Sequence, residues 1–326
     1  MQFFKKTNID FLGKRGTFIW LSLALNIVGI AAPFVLGLRF GIDFEGGTEA
    51  RMRFSQAVDV AAVRHAMDKA KFEGAEIKSI SDPQEVLIRV PVVQGADIKD
   101  IPTNIQTALQ SELPGQTVEI RSSQTIGPKV GGELRSKALI AVGLAVLAIM
   151  LYLAFRFEFT FGVGAAIALI HDVLVTLALV TLAGKSGLIN IEINLAMIAA
   201  FLTVIGFSVN DTVIIFDRIR ENLEKHKGMN TIQLMNLSIN ETLSRTVNTV
   251  MTVVLVLLTI VVAGGEVLQG FAFTMLIGIV TGTYSSIYIA SAFVVWYMQH
   301  IRKLDVEGDF KKSLEKTARK LNAQGA

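Results

Sequence analysis

Six runs almost free of charge account for most of this chain, and they constrain it more than any motif does. They predict spans at residues 18–38, 136–155, 160–183, 195–216, 247–263 and 270–298, most of them near or above the roughly 20 residues that cross a bilayer as a helix. Lipid offers no hydrogen bonds to a bare backbone, so each run must satisfy its own amides by coiling. Composition agrees: 52% of residues are hydrophobic, 18% are charged and the mean hydropathy is +0.52, which excludes an ordinary water-soluble globule. The chain reads as a polytopic α-helical membrane protein with six transmembrane helices. The first run is too long for a signal-peptide core and lacks a convincing cleavage site, so it is expected to stay as an anchor. With no cysteine in 326 residues, disulfides and thiolate metal sites are excluded, and no cofactor or metal is expected.

Lys and Arg set the orientation. Lys5, Lys6, Lys14 and Arg15 precede the first span, Arg156 follows the second, and Arg218, Arg220, Lys225 and Lys227 follow the fourth. Arg245 opens the fifth, and Arg302, Lys303, Lys311, Lys312, Lys316, Arg319 and Lys320 fill the tail. All fall on one side, against Lys185 in the short loops of the other. Both termini (1–17 and 299–326) and the loop 217–246 are therefore expected in the cytoplasm, and the net charge of +3 reports topology; no nucleic-acid surface is implied.

The long segment 39–135 is expected outside the cytoplasm. Its periodicities alternate: an extended stretch 49–54, a helical face of Val60, Val63, Met67 and Ala70, strands at 75–80 and 85–90, a second face of Ile98, Ile101, Ile105 and Leu109, and a strand at 117–121. This is β-α-β-β-α-β, the order of a ferredoxin-like α+β domain. Nothing in it looks catalytic, and His65 has no second ligand nearby. "GIDFEGGT" (41–48) lacks the Lys-Ser/Thr of a phosphate loop and reads as a turn leading into a strand.

Ionisable groups inside spans are costly, ~2.5–3.5 kcal/mol at a helix centre on insertion scales. Three occur: His171, Asp172 and Asp211. Asp211 is about 24 Å along the fourth span from Leu195 at 1.5 Å per residue, in the third nearest the cytoplasm. Thr203, Asn210 and Asp217 repeat at seven-residue spacing beside it, a stripe expected to face other helices or a wet cavity. Arg245 should enter at matching depth. A permanent ion pair and a titrating group are both open for Asp211. For His171–Asp172, on a ridge with Gly164, Ala168 and Thr176, packing and proton relay are equally open. Gly278, Gly282, Ser286 and Ala290 in the sixth span form the small-residue spacing of close helix packing. A second helical layer is expected to shield Asp172 and Asp211.

The order of "GIDFEGGT" after the first span, "IGPKVGGEL" before the second, "FRFE" after it, "HD" in the third and "GFSVNDTVIIFDRIREN" in the fourth resembles the SecF family of protein-export membrane proteins, within the resistance-nodulation-division superfamily. The likeness covers nearly the whole chain, and the fourth-span string is its most specific element. It implies no enzyme but an accessory subunit of the Sec translocase in the cytoplasmic membrane, which works with SecD and the SecYEG translocon on unfolded exported polypeptides in late steps of export, driven by the proton-motive force. It implies a proton path through Asp211 and Arg245; Asn210, Asp217, Asp172 and His171 are secondary candidates from their places in or beside the spans, and motion is expected to pass to the outer domain through the first span and its "GIDFEGGT" exit. A small-molecule exporter half of the same superfamily and a non-transporting scaffold are the alternatives. The first would normally carry two six-span halves, and the second has no need of ionisable groups in spans.

Overall fold

The computed structural model describes residues 7–72, 74–80, 82–91, 100–187, 189, 191–226, 228–303 and 305–306. Lys5, Lys6, Lys227, Ile98 and the tail residues Lys311 to Lys320 lie outside them. The chain opens with a 3-10 turn, Leu12–Lys14, that runs into helix α1, Arg15–Leu36. One helical turn, α2 (Ile42–Glu45), leads into an α/β domain. The domain comprises β1 (Gly47–Phe54), α3 (Val60–Lys69), β2 (Glu76–Ser79), β3 (Glu85–Pro91), α4 (Ile101–Glu112) and β4 (Val118–Ile126). Five long helical segments follow: α5 (Pro128–Arg156), α6 (Phe159–Ser186), α7 (Leu195–Lys225), α8 (Thr231–Ala263) and a sixth span built of α9 (Gly265–Ser285), a π turn (Ser286–Ala290) and α10 (Ser291–His300).

Among the described residues six helices are long and apolar enough to cross a membrane, and the chain is a multi-pass membrane protein. The sheet is wholly antiparallel in the order β2-β3-β1-β4, which is the ferredoxin-like arrangement. Its core is self-contained: Met52, Phe54, Val63, Met67, Ile88, Ile105, Leu109 and Val118 pack together, each at most 1% exposed. The anticipated faces of α3 and α4 are those that point into it. Strand β4 outruns its expected end at 121, because the polar run Ser122–Thr125 pairs with Arg51–Thr48 past a register shift beside Met52. A polar stretch with no alternation carries no strand signal, yet its backbone completes the ladder.

"GIDFEGGT" holds the domain against the bundle. Gly46 and Gly47 have φ of 83° and 154°, a backbone that glycine alone takes without strain, and the turn sits so close to α5 that a Cβ on Gly131 would meet Phe44 O at 3.0 Å.

The largest departure from hydropathy lies at the other end. The segment expected as a loop, 217–246, is mostly helix: α7 continues to Lys225, and α8 begins at Thr231, capped by the Asn230 side chain accepting from Ile232 N and Gln233 N. Charge ends a membrane span, but it does not end a helix. The two extensions are zipped by Arg218 to Glu241 at 2.7 Å and by Asn222 Nδ2 donating to Ser238 Oγ at 3.0 Å and Glu241 Oε2 at 2.7 Å.

Within the bundle α6 and α7 are the most enclosed helices, while α5 and α8 show mostly bare apolar surface. Helix α9 fits between α6, α7 and α8 through its glycines: a Cβ on Gly278 would lie 2.3 Å from Val204 Cγ2, and one on Gly282 would lie 3.0 Å from Ser208 Cβ. The small-residue ridge is a packing surface.

Candidate functional site

Asp211 projects from α7 into the seam with α9 and is 5% exposed. Its Oδ2 accepts from Thr283 Oγ1 at 3.3 Å. The charge of Arg245, on α8, reaches it electrostatically, but among the described residues no direct ion pair joins the two, and the Arg245 side chain is exposed on the outer face of its helix.

A second carboxylate lies deeper. Asp172 on α6 is fully buried; its Oδ1 is 3.0 Å from His171 Nδ1, and its Oδ2 accepts from Ser285 Oγ at 2.8 Å and from Ser208 Oγ. Three helices therefore converge on one carboxylate. Ser208 lies one turn before Asp211 on α7, and Ser285 lies two residues beyond Thr283 on α9, so both acidic groups are read by the same helix pair. Thr212 Oγ1 and Ser286 Oγ meet at 2.8 Å beside them. Beyond His171, the Tyr284 ring lies 5.9 Å away, and its hydroxyl donates to Phe18 O at 3.0 Å on α1. Such hydroxyl contacts are the interhelical bonds that replace a hydrophobic drive inside lipid.

The remaining expected residues are not gathered here. Asn210 and Thr203 are exposed on the outward face of α7, whereas Asp217 is held from Arg156 Nη2, at 2.8 and 2.7 Å from its two oxygens. Asp217 thus clamps the end of α5 to α7. The expectation that a second helical layer must shield Asp172 and Asp211 is corrected: α9 of this chain covers both. What is left uncovered is Asn210 and Arg245. Sequence reasoning missed Ser208, Thr283 and Ser285. Their only signal is the recurrence of a hydroxyl near each acid in α7 and in the sixth span, and hydroxyls in helices more often bond their own backbone, as Thr203 Oγ1 does with Ala199 O at 2.8 Å.

Residues 105–300 match the family described as protein export membrane protein SecD/SecF, C-terminal, and residues 31–58 match the SecD/SecF GG motif. The chain belongs to the SecD/SecF protein-export family. It is 38% identical over 299 residues to the protein translocase subunit SecF of Calditerrivibrio nitroreducens, covering 91% of this chain and 96% of that one. It is 42% identical over 300 residues to the SecF subunit of Cereibacter sphaeroides, covering 90% of each. Among solved structures it superposes on SecDF of Thermus thermophilus, a translocon-associated membrane protein, with a TM-score of 0.75 at 35% identity over 90% of this chain. It also superposes on SecDF in its super-membrane-facing form, with a TM-score of 0.69 at 33% identity over 93%. The chain spans 39% of the length of the first SecDF chain and 40% of the second. The match to the GG motif of the family runs from the end of α1 through α2 and the whole of β1, and the match to its C-terminal region holds every residue of the two carboxylate clusters.

Proposed function

We propose that this chain is a SecF-like subunit which, with a SecD partner in the cytoplasmic membrane, uses the proton-motive force to promote late steps of protein export through SecYEG. Both termini lie in the cytoplasm and residues 39–135 on the outer side. The span limits follow the apolar runs at 18–38, 136–155, 160–183, 195–216, 247–263 and 270–298, and the helical extensions 217–225 and 231–246 lie in the cytoplasm.

One observation carries the reading: Asp211 is enclosed by the bundle and, among the described residues, has one weak hydroxyl donor and a guanidinium that reaches it only at a distance. A permanent structural pair would close Asp211 and Arg245 to contact, because an uncompensated buried charge is costly. A group that takes up and gives back a proton is served by a loose partner, since small changes in the α7–α8 separation alter how well the carboxylate charge is compensated. In the charged state Asp211 is drawn toward Arg245; on protonation the attraction ends, Thr283 remains as its neighbour, and the helices repack. Each proton that crosses at about 100 mV releases ~2.3 kcal/mol from the potential, on the scale that biases a bistable helix packing.

The exposed Asn210 and Arg245 suit a partner's helices in the same leaflet region, and the match to one part of a fused SecDF supports SecD as the source of that layer. Asp172 and its serines hold α6, α7 and α9 in register for the step.

The test is export into vesicles containing this chain and its SecD partner, with and without an imposed proton gradient. Asp211→Asn and Arg245→Met should each remove the gradient-stimulated increment while membrane level and partner recovery stay near wild type. Wild-type stimulation in either variant makes the pair structural and returns the chain to the scaffold reading.

A further inference from the structure

The connection between α6 and α7 carries Glu192, an acid outside the family motifs quoted above, and it is buried with a side chain 3% exposed. It is gripped from the α/β domain. Lys78 of β2, 7% exposed at its side chain, and Arg89 of β3 both pair with its carboxylate, and Arg89 is held in turn by Glu49 of β1 at 2.5 Å. The same connection is joined to the root of the domain by backbone: Ile193 N donates to Arg39 O at 2.8 Å, and Gly41 N donates to Ile193 O at 2.9 Å. Asp43 then caps α7 itself, its Oδ2 accepting from Leu195 N at 2.9 Å. Three neighbouring residues, Glu192, Ile193 and Leu195, therefore bind the domain to the first turn of the helix that bears Asp211. By contrast, the last turn of α1 before that root is open: Phe34 and Val35 are 86% and 78% exposed, and Gly37, with φ of 74°, has no atom near its would-be Cβ.

We infer that Glu192 is a positioning residue that makes the outer domain move with α7, so that a displacement begun at Asp211 reaches the sheet through the α6–α7 connection and not through the first span. The inference rests on the proton reading for what moves α7, but not for the attachment itself. A buried acid that loses either cation is left uncompensated, which makes the joint stiff toward opening. A cavity of about 320 Å³ beside it, bordered by Lys78, Arg89, Glu192, Met197 and Phe271, leaves room for the sheet to tilt over the start of α9 while the ion cluster stays closed.

The chain has no native cysteine, which permits a direct test in vesicles holding the chain with a cysteine-free SecD partner. Lys78→Cys/Glu192→Cys removes the ion cluster and leaves only the backbone and Asp43 bonds of the joint, and gradient-stimulated export should fall at least fivefold with partner recovery unchanged. Joining the two thiols with a short bis-methanethiosulfonate bridge should bring it back to within twofold of wild type. A merely stabilising contact gives no such reversible rescue. Spin labels at Thr103→Cys and Lys185→Cys report attachment independently of protons: their distance distribution should be narrow in an otherwise wild-type chain and in Asp211→Asn, and broad in Glu192→Gln. Wild-type export from the unbridged double cysteine variant, loss of export on bridging, or a narrow distribution in Glu192→Gln overturns the inference. Normal gradient-stimulated export by Asp211→Asn alongside a broadened Glu192→Gln distribution would instead overturn the proton reading and leave the joint standing.

Discussion

At the scale of single residues, the two carboxylates of the bundle differ in how completely they are satisfied. Asp172 has a partner on each of its oxygens and two serines from separate helices on one of them, so it acts as a fixed node. Asp211 has Thr283 at 3.3 Å and a distant cation, the looser surroundings that the proposed proton step calls for. The distinction predicts opposite responses to similar substitutions. Asp172→Asn keeps an acceptor for Ser208 and Ser285 and should leave thermal stability in detergent nearly unchanged, whereas Asp172→Leu strands buried hydroxyls and should cost about 1–3 kcal/mol, read as a lower Tm. Asp211→Asn should leave Tm near wild type, because it removes a charge that the resting bundle barely compensates. A large Tm loss in Asp211→Asn, with none in Asp172→Leu, would reverse the two roles.

At the scale of elements, Gly278 is the point at which α9 and α7 touch, and a leucine there has nowhere to go. Gly278→Leu should destabilise the bundle by about 1–3 kcal/mol through overpacking against Val204, measured as a fall in Tm and in the recovered protein. The α/β domain makes a complementary case. Since, among the described residues, its core draws on residues within 50–120, residues 39–135 expressed alone should melt cooperatively with mixed α/β circular dichroism; a featureless disordered spectrum would reject an independent domain. These elements also show what can be read from sequence. The spans and the two amphipathic helices of the domain were legible, because a change of solvent writes itself into hydropathy and a half-buried helix into its period. The extensions of α7 and α8 were not, since polar residues mark the end of lipid contact and are silent on whether coiling stops. Asp211 and Arg245 stood out as charges in or beside apolar runs. Ser208, Thr283 and Ser285 are common residues whose meaning depends on which helix faces them, and Glu192 meets Lys78 across 114 positions of chain, a distance over which no spacing rule operates.

At the scale of the whole molecule, the bundle shields both of its acids yet leaves Asn210 and Arg245 uncovered, and the solved relatives that it matches are longer than twice its length. A partner layer of helices accounts for both facts, and co-purification from membranes should recover a SecD-like protein; a chain that is monodisperse, stable and export-competent without one would contradict that layer. With the layer in place, the proposed mechanism makes the molecule a lever. In that mechanism protonation acts midway along α7, the joint at Glu192 and Asp43 lies at the helix's first turn, and the ferredoxin-like domain is the arm. The most direct measurement of this account is proton flux itself, followed with a pH-sensitive dye trapped in vesicles that contain the chain, its SecD partner and the translocon engaged with an exporting polypeptide. The account predicts gradient-driven proton movement that accompanies export and disappears in Asp211→Asn; an equal flux through Asp211→Asn would show that the carboxylate of α7 is not the group that carries the proton.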